Sequence, residues 1–213
     1  MTDPIRRRST GRVVALTLAR PDKLNALDAE MVVGLRRMVD AAMQDPHVGA
    51  IVLDAEGRAF CAGQDLSLRY VPPGASPLDL GASLEEAYNP LVRSIRYGPK
   101  PVVSAVQGVA AGAGASLAMA ADVVIAATDA RFVEAFSRVG LMPDGGGTWL
   151  LPHAAGRARA LAAALLGSAI DAATAKAWGL VWEVVPAAAL GTVAMAVAER
   201  LATFGPNDLT EMT

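Results

Sequence analysis

Cysteine occurs once, at Cys61. A single thiol excludes an intramolecular disulfide framework and fits a reducing, cytoplasmic setting. Histidine is scarce as well. Neither His47 nor His153 is placed by the sequence to activate that thiol, so a nucleophilic Cys61 is set aside. Long runs of one charge are missing too. The net charge is −2, and the only tight basic cluster is Arg6-Arg7-Arg8, which reads as a solvated, frayed terminus. Nothing in this pattern proposes nucleic acid as a partner. The N-terminus lacks a signal-peptide core, because Arg6 to Arg12 is polar. No uninterrupted membrane span stands out either. The most apolar stretch, Val102 to Ala127, is broken by Gln107, three glycines and Asp122, and reads as strand, glycine turn and buried helix.

What is present is core-forming material. Hydrophobic residues make up 53% of the 213 residues against 19% charged, enough for one folded domain and too apolar for disorder. Val13 to Leu18 is a β-rich run stopped by Arg20-Pro21. Asp28 can cap a helix whose apolar positions Met31, Leu35, Met38, Val39 and Ala42 keep helical spacing until Asp45-Pro46. Ala50 to Leu53 and Pro101 to Val106 read as strands buried on both faces. Tyr70 to Ser83 is a proline-, glycine- and serine-rich loop of the kind that covers sites. Leu84 to Tyr97 is a helix that Pro90 must bend or restart. Gly108 to Gly114 is a glycine turn, followed by a small-residue helix from Ser116 to Ala121. Val123 to Ala127, Arg131 to Ala135 and Val181 to Val185 complete the strands. With no linker and no strict repeat, the coarse class is α/β, in one domain.

Three segments could carry chemistry. Cys61-Ala62-Gly63-Gln64-Asp65 follows a buried strand, and its small residues let a ligand approach the backbone; the plainer reading is a strand-to-helix turn. Gly108 through Gly114 offers either a second backbone anion site or a dinucleotide turn, with Asp129 about twenty residues on. Against the nucleotide reading, the turn lies halfway along the chain, and no tyrosine has lysine four residues later: Tyr88 is followed by Val92 and Tyr97 by Pro101. In Met142-Pro143-Asp144-Gly145-Gly146-Gly147-Thr148-Trp149, Asp144 either caps a helix or stands at an apolar pocket lined by Leu141, Met142 and Trp149. Burial there would lift its pKa above about 3.9 and make it a usable base for a carbon acid. Together, two small-residue turns could aim two amides at one oxygen, with a carboxylate beside it. One such preorganised donor is worth about 3–4 kcal/mol to an oxyanion.

In order and spacing, Asn25-Ala26-Leu27, Phe60 through Asp65, Gln107-Gly108 through Gly114, Leu117 to Asp122, Gly140 through Thr148 and Ala173 to Val185 resemble the enoyl-CoA hydratase/isomerase (crotonase) superfamily. The resemblance runs from residue 11 to 186 and implies a crotonase (ClpP-like) α/β spiral of ββα units. It also implies an acyl-CoA thioester as substrate, no separate cofactor, no metal, and a homotrimer or dimer of trimers. By position, Ala62 and Ala113 would supply the oxyanion hole. Ala26, Ala62, Gly63, Gln64, Asp65, Gly112, Ser116, Phe136 and Trp149 would contact CoA or substrate. Hydratases of the family carry two glutamates where this chain has Ser116 and Phe136. Adding water needs a base and an acid, so their absence speaks against ordinary hydration. Asp144 matches the aspartate of isomerase branches, including the phenylacetate-pathway ring-epoxide and enoyl-CoA isomerases. The resemblance thus implies an acyl-CoA isomerase with Asp144 as acid and base. A hydratase-like enzyme, a nucleophilic dehalogenase- or thioesterase-like enzyme, and a silent acyl-CoA-binding scaffold are the alternatives. Residues 1–200 would form the core, with 201–213 a short tail in place of the family's C-terminal helical segment.

Overall fold

The computed structural model describes residues 3–69 and 79–204. The loop expected over Tyr70–Ser83 lies outside the described residues except for its last five positions, as does the tail beyond 204. In chain order the main elements are β1 (Ile5–Thr10), β2 (Val13–Leu18), α1 (Ala29–Gln44), β3 (Ala50–Ala55), α2 (Leu80–Ser83), α3 (Asn89–Arg96), β4 (Val102–Val106), β5 (Val109–Ala111) and α4 (Ala113–Met119). There follow β6 (Val123–Ala127), β7 (Arg131–Val133), α5 (Gly147–Ala155), α6 (Arg157–Leu166), β8 (Ala169–Asp171), α7 (Ala172–Trp178), β9 (Glu183–Val185) and α8 (Leu190–Leu201).

Six strands form one sheet in the order β1-β2-β3-β4-β6-β9, parallel from β2 onward, and β5-β7-β8 form a second. Period-two alternation divides the larger sheet between two cores. Val14, Leu16, Leu18, Ile51 and Leu53 face the helices α1 and α3, where Met31, Leu35, Val39, Leu91 and Ile95 meet them. Val13, Ala15, Ala50, Val52, Val103, Ala105 and Ile125 face α8. Ala194 and Ala198 of α8, with Ala202 at its C-cap, keep an i, i+4 stripe that lets it lie close to the strands. Nothing in the sequence reading had marked this helix, because alanine looks neither polar nor strongly apolar.

The Asp28 carboxylate accepts the Met31 amide at 2.8 Å, starting α1 as expected. Pro90 stands in the first turn of α3, directly after a π-helical turn over Leu84–Tyr88, so the helix restarts there. Two expectations change. Arg6, Arg7 and Arg8 are not a frayed end. They belong to β1, which pairs antiparallel with β2 in full register, and Arg6 bonds Glu56 at 2.6 Å. Their heads are exposed as expected, but an edge strand tolerates charged outward side chains once Ile5 anchors it. The span Gly108 to Gly114 is also more than a turn, since β5 lies inside it and pairs with β7. Among the described residues no helix is long and apolar enough to cross a membrane.

One buried amide holds the loop ahead of the site. Asn25 is fully buried, donates Nδ2 to the carbonyls of Glu56 (2.9 Å) and Ala59 (2.8 Å), and accepts the Arg20 amide at 2.8 Å. Its backbone is left-handed at φ 55°, which asparagine tolerates better than most residues. Asn25→Asp keeps the shape but sets carboxylate oxygens against two carbonyls. This substitution is expected to destabilise the fold by about 3 kcal/mol in urea denaturation. A change within about 0.5 kcal/mol would show that the clamp is unimportant.

Candidate active site

The end of β3 is laid against the β4–β5 crossing by backbone hydrogen bonds. Phe60 donates to Gln107 O at 2.8 Å, Cys61 to Val109 O at 3.1 Å, and Ala111 returns to Cys61 O at 2.9 Å. Glycine makes the approach possible. A Cβ on Gly108 would lie 1.9 Å from Arg58 O, on Gly114 2.4 Å from Cys61 O, and on Gly63 2.8 Å from Ala111 O. No side chain fits at these distances. The two segments therefore run side by side, and the Gly63 Cβ position lies 3.7 Å from the Ala113 nitrogen.

The direction of each amide follows from its partner. Ala113 opens α4, so its N–H is one of the first-turn donors with no intrahelical acceptor, whereas Ala115 and Ser116 donate to Gly112 O. Ala62 differs from the sequence expectation. Its N–H donates to Leu24 O at 2.9 Å, which turns it away from any ligand and removes it as an oxyanion donor. Leu27 forms a parallel bridge to Gln64, taking Gly63 O at 2.7 Å and receiving the Asp65 N–H at 2.9 Å. In such a bridge the N–H of the central residue, Gln64, points to the opposite side of its strand from Leu27.

Ala62, Gly63, Gln64, Gly112, Ala113, Phe136 and Asp144 border one small cavity of about 90 Å³. A neighbouring cavity of about 290 Å³ shares Gln64, Leu141 and Asp144 with it and adds Leu84, Tyr88 and Thr148. Asp144 thus stands where the two meet, and among the described residues it is the only carboxylate lining either. Its loop is held from behind. The Asp144 carbonyl accepts the buried Ser116 hydroxyl at 2.8 Å and the Gly147 amide at 2.9 Å. Gly145 and Gly146 adopt φ of +55° and +85°, the left-handed path that brings the chain into α5. Phe136 lies over Gly112 with its ring 3.7 Å from the Cβ position there, and keeps that wall apolar.

Several expected contacts fall elsewhere. Trp149 is 45% exposed, stacks on His153 at 4.0 Å and sits under Arg96 at 5.8 Å. It borders a separate cavity with Asp122, Lys176 and Trp182, because the helical turn after Thr148 carries it away from Asp144. Ala26 lines neither cavity of the site; its carbonyl accepts Arg20 Nη1 at 2.6 Å. Asp65 also lies off both cavities. It is bound by the Ser67 hydroxyl at 2.6 Å and by Arg20 at 3.2 Å, and the Ser67 hydroxyl is the main reason its carboxyl is held below its ordinary range. Cys61 is buried and its thiol is pushed up to about 12 by that burial, which leaves it protonated and inert near neutral pH.

Sequence reasoning missed Glu134. It is 1% exposed, and its Oε2 lies 3.9 Å from the Cβ position of Gly147, whose own nearest neighbour is the Ser116 hydroxyl. The only signal was a lone carboxylate inside the apolar run Phe132-Val133-Glu134-Ala135-Phe136. Burial, then the charge of Asp144, raises its pKa from an ordinary 4.5 to about 7. The folded state therefore holds this proton more tightly than the unfolded chain. The resulting penalty is absent below the unfolded value, grows as pH rises between the two values, and is complete above the folded one, at about 3 kcal/mol. Glu134→Gln is expected to be stabilised relative to the parent as pH rises from about 5 to about 8, measured by urea unfolding. Parallel stability curves for the two proteins would contradict this.

Comparisons with known proteins bear on the family and the fold. Residues 8–213 match the family model described as Enoyl-CoA hydratase/isomerase. The chain is 51% identical over 191 residues to the 1,2-epoxyphenylacetyl-CoA isomerase of Escherichia coli (strain K12), covering 90% of this chain and 73% of that one. It is 49% identical over 174 residues to a probable enoyl-CoA hydratase of Rhodobacter capsulatus, covering 82% and 65%. Among solved structures, an enoyl-CoA hydratase from Polaromonas sp. JS666 superposes with a TM-score of 0.91 at 38% identity, over 98% of this chain and 80% of that one. The α/β fold is the crotonase fold of these neighbours. The chain belongs to the enoyl-CoA hydratase/isomerase family.

Proposed function

We propose that the protein is an acyl-CoA isomerase that moves one proton through a thioester enolate, with Asp144 as both acid and base. The observation that carries this reading is the Asp144 carboxylate, the one acidic side chain among the described residues that lines the two cavities, on the same border as the first residue of α4. The thioester carbonyl would accept the N–H groups of Ala113 and Gln64. Gln64 takes the role first given to Ala62, whose amide is engaged by Leu24. As the α-proton leaves for the Asp144 carboxylate, the C–H electron pair becomes the enolate and negative charge grows on the carbonyl oxygen. Two fixed donors stabilise that charge without reorganisation. The protonated Asp144 then returns the proton to the γ-carbon, and the double bond ends next to the thioester. One group suffices, because removal and return are successive.

Hydration would require a second acid or base lining the same space. The two positions that carry glutamates in hydratases hold Ser116, whose hydroxyl is spent on the Asp144 carbonyl, and Phe136. The likeness to an epoxyphenylacetyl-CoA isomerase extends the proposal to acyl groups with a ring next to the reacting carbon. Purified protein is expected to convert a 3-enoyl-CoA into the 2-enoyl-CoA. Asp144→Asn is expected to lower kcat by about 10³-fold while acyl-CoA still raises its Tm. Equal turnover in that variant would end the proposal.

A further inference from the structure

Asp144 has a buried neighbour that the proposed reaction does not use. Glu134 leaves β7 at the start of a 3-10 turn over Ala135–Val139, and its side chain is enclosed between α4 and the first turn of α5. Its Oε2 is inaccessible and has no hydrogen-bond partner among the described residues. Among the described residues no ion pair reaches it, and Arg159 of the neighbouring α6 lies over the Trp178 ring at 5.6 Å. α4, Ala113–Met119, contains no ionisable side chain, and the one on α5, His153, is stacked on Trp149. Arg138 of the 3-10 turn donates to Gly167 O, and Arg131 of β7 reaches the carbonyl of Ala130 and the field of Asp171. The charge that acts on Glu134 is that of Asp144.

Glu134 Oε2 and the Ser116 hydroxyl flank the same Gly147 Cβ position, at 3.9 and 2.9 Å, and that hydroxyl donates to the Asp144 carbonyl, so the two acidic residues are neighbours across Ser116. Neighbouring carboxyl groups shielded from water do not both ionise readily, so their titrations belong to the pair. Which member keeps the proton is decided by access to water. Glu134 is sealed at 1% exposed, whereas Asp144 is half-buried and lines both cavities. From this arrangement we infer that Glu134 is a positioning residue which holds a proton behind Asp144, so that the working enzyme carries one negative charge in the site and not two.

The functional consequence follows from the sign of the charge. With Glu134 neutral, Asp144 acts as the one base, and the enolate forms with no second anion behind it. Once Glu134 ionises, a second buried anion opposes the oxyanion and makes protonated Asp144 slower to return its proton. The singly protonated pair is the active form, and activity falls on the alkaline side as Glu134 loses its proton. Glu134 lines neither cavity, so its effect on the reaction runs through Asp144.

The pH-activity part of this inference rests on the isomerase reading; the titration part does not. With ¹³C-labelled glutamate carboxyls in the substrate-free protein, the resonance that disappears in Glu134→Gln is expected to titrate near pH 7. In Asp144→Asn the midpoint is expected to drop by about one pH unit. An ordinary carboxylate midpoint, or one unmoved in Asp144→Asn, would overturn the pairing even if the enzyme turns over. In the activity arm, the kcat/KM profile of the parent is expected to lose its alkaline limb in Glu134→Gln while the plateau stays within about threefold. Glu134→Asp should restore a limb. A limb retained in Glu134→Gln, or a uniform loss at every pH, would overturn the role in turnover. Absent turnover with the expected titration would count against the isomerase reading alone.

Discussion

The close approach of two backbones decides most of what this chain can do. Where the segment after β3 passes the β4–β5–α4 crossing, carbonyl oxygens lie 1.9–2.8 Å from the places where Cβ atoms of Gly108, Gly114 and Gly63 would be. Main chain is packed on main chain there, and only glycine permits it. That contact sets the first amide of α4 and the Gly63–Gln64 backbone on the border of one cavity. The parallel register of β3 with β4 fixes the two segments along the sheet, and Asn25 ties the intervening loop to the strand that precedes it. Rigid elements thus hold backbone dipoles in place before any ligand arrives, which is the condition for a preorganised anion site.

Behind this frame lies a graded set of polar groups. Asp144 meets the cavities, Ser116 and the Gly147 amide hold its carbonyl, and Glu134 is sealed beneath them. Such layering lets a half-buried carboxylate work at the cavities while a fully buried one adjusts the charge around it. It also carries an energetic burden, since a desolvated carboxyl at neutral pH is held against its preference for water. Stability is given up at the place where chemistry is proposed, a common pattern for functional sites.

The sequence was legible where side chains obey a period and where several motifs stood in register. α1 follows from helical spacing and its cap, β2, β3, β4 and β6 from short β-rich apolar runs, and the family resemblance located Gly63, Gln64, Gly112, Ala113, Ser116, Phe136 and Asp144 around one place. Other features were hidden for physical reasons. β1 carries arginines on an exposed edge, so its composition imitates a loose terminus. β5 lies inside a glycine run, and α8 packs through alanines. The oxyanion assignment of Ala62 failed because residue type does not reveal which way an N–H points; only the Leu24 and Leu27 pairings do. Trp149 was misplaced by a fraction of a helical turn. Glu134 left only a weak signal, since a carboxylate in an apolar run has an ordinary solvent-facing reading until burial is known.

The central claim is that the backbone at residues 64 and 113 polarises a thioester carbonyl before reaction. The direct measurement is the infrared stretch of a ¹³C-labelled thioester carbonyl in an acyl-CoA that lacks an acidic proton, bound to the protein. A shift to lower frequency than in water, lost when Gly114→Val forces α4 away from Cys61, is the expected result. A bound thioester with its solution frequency in the parent protein would contradict it.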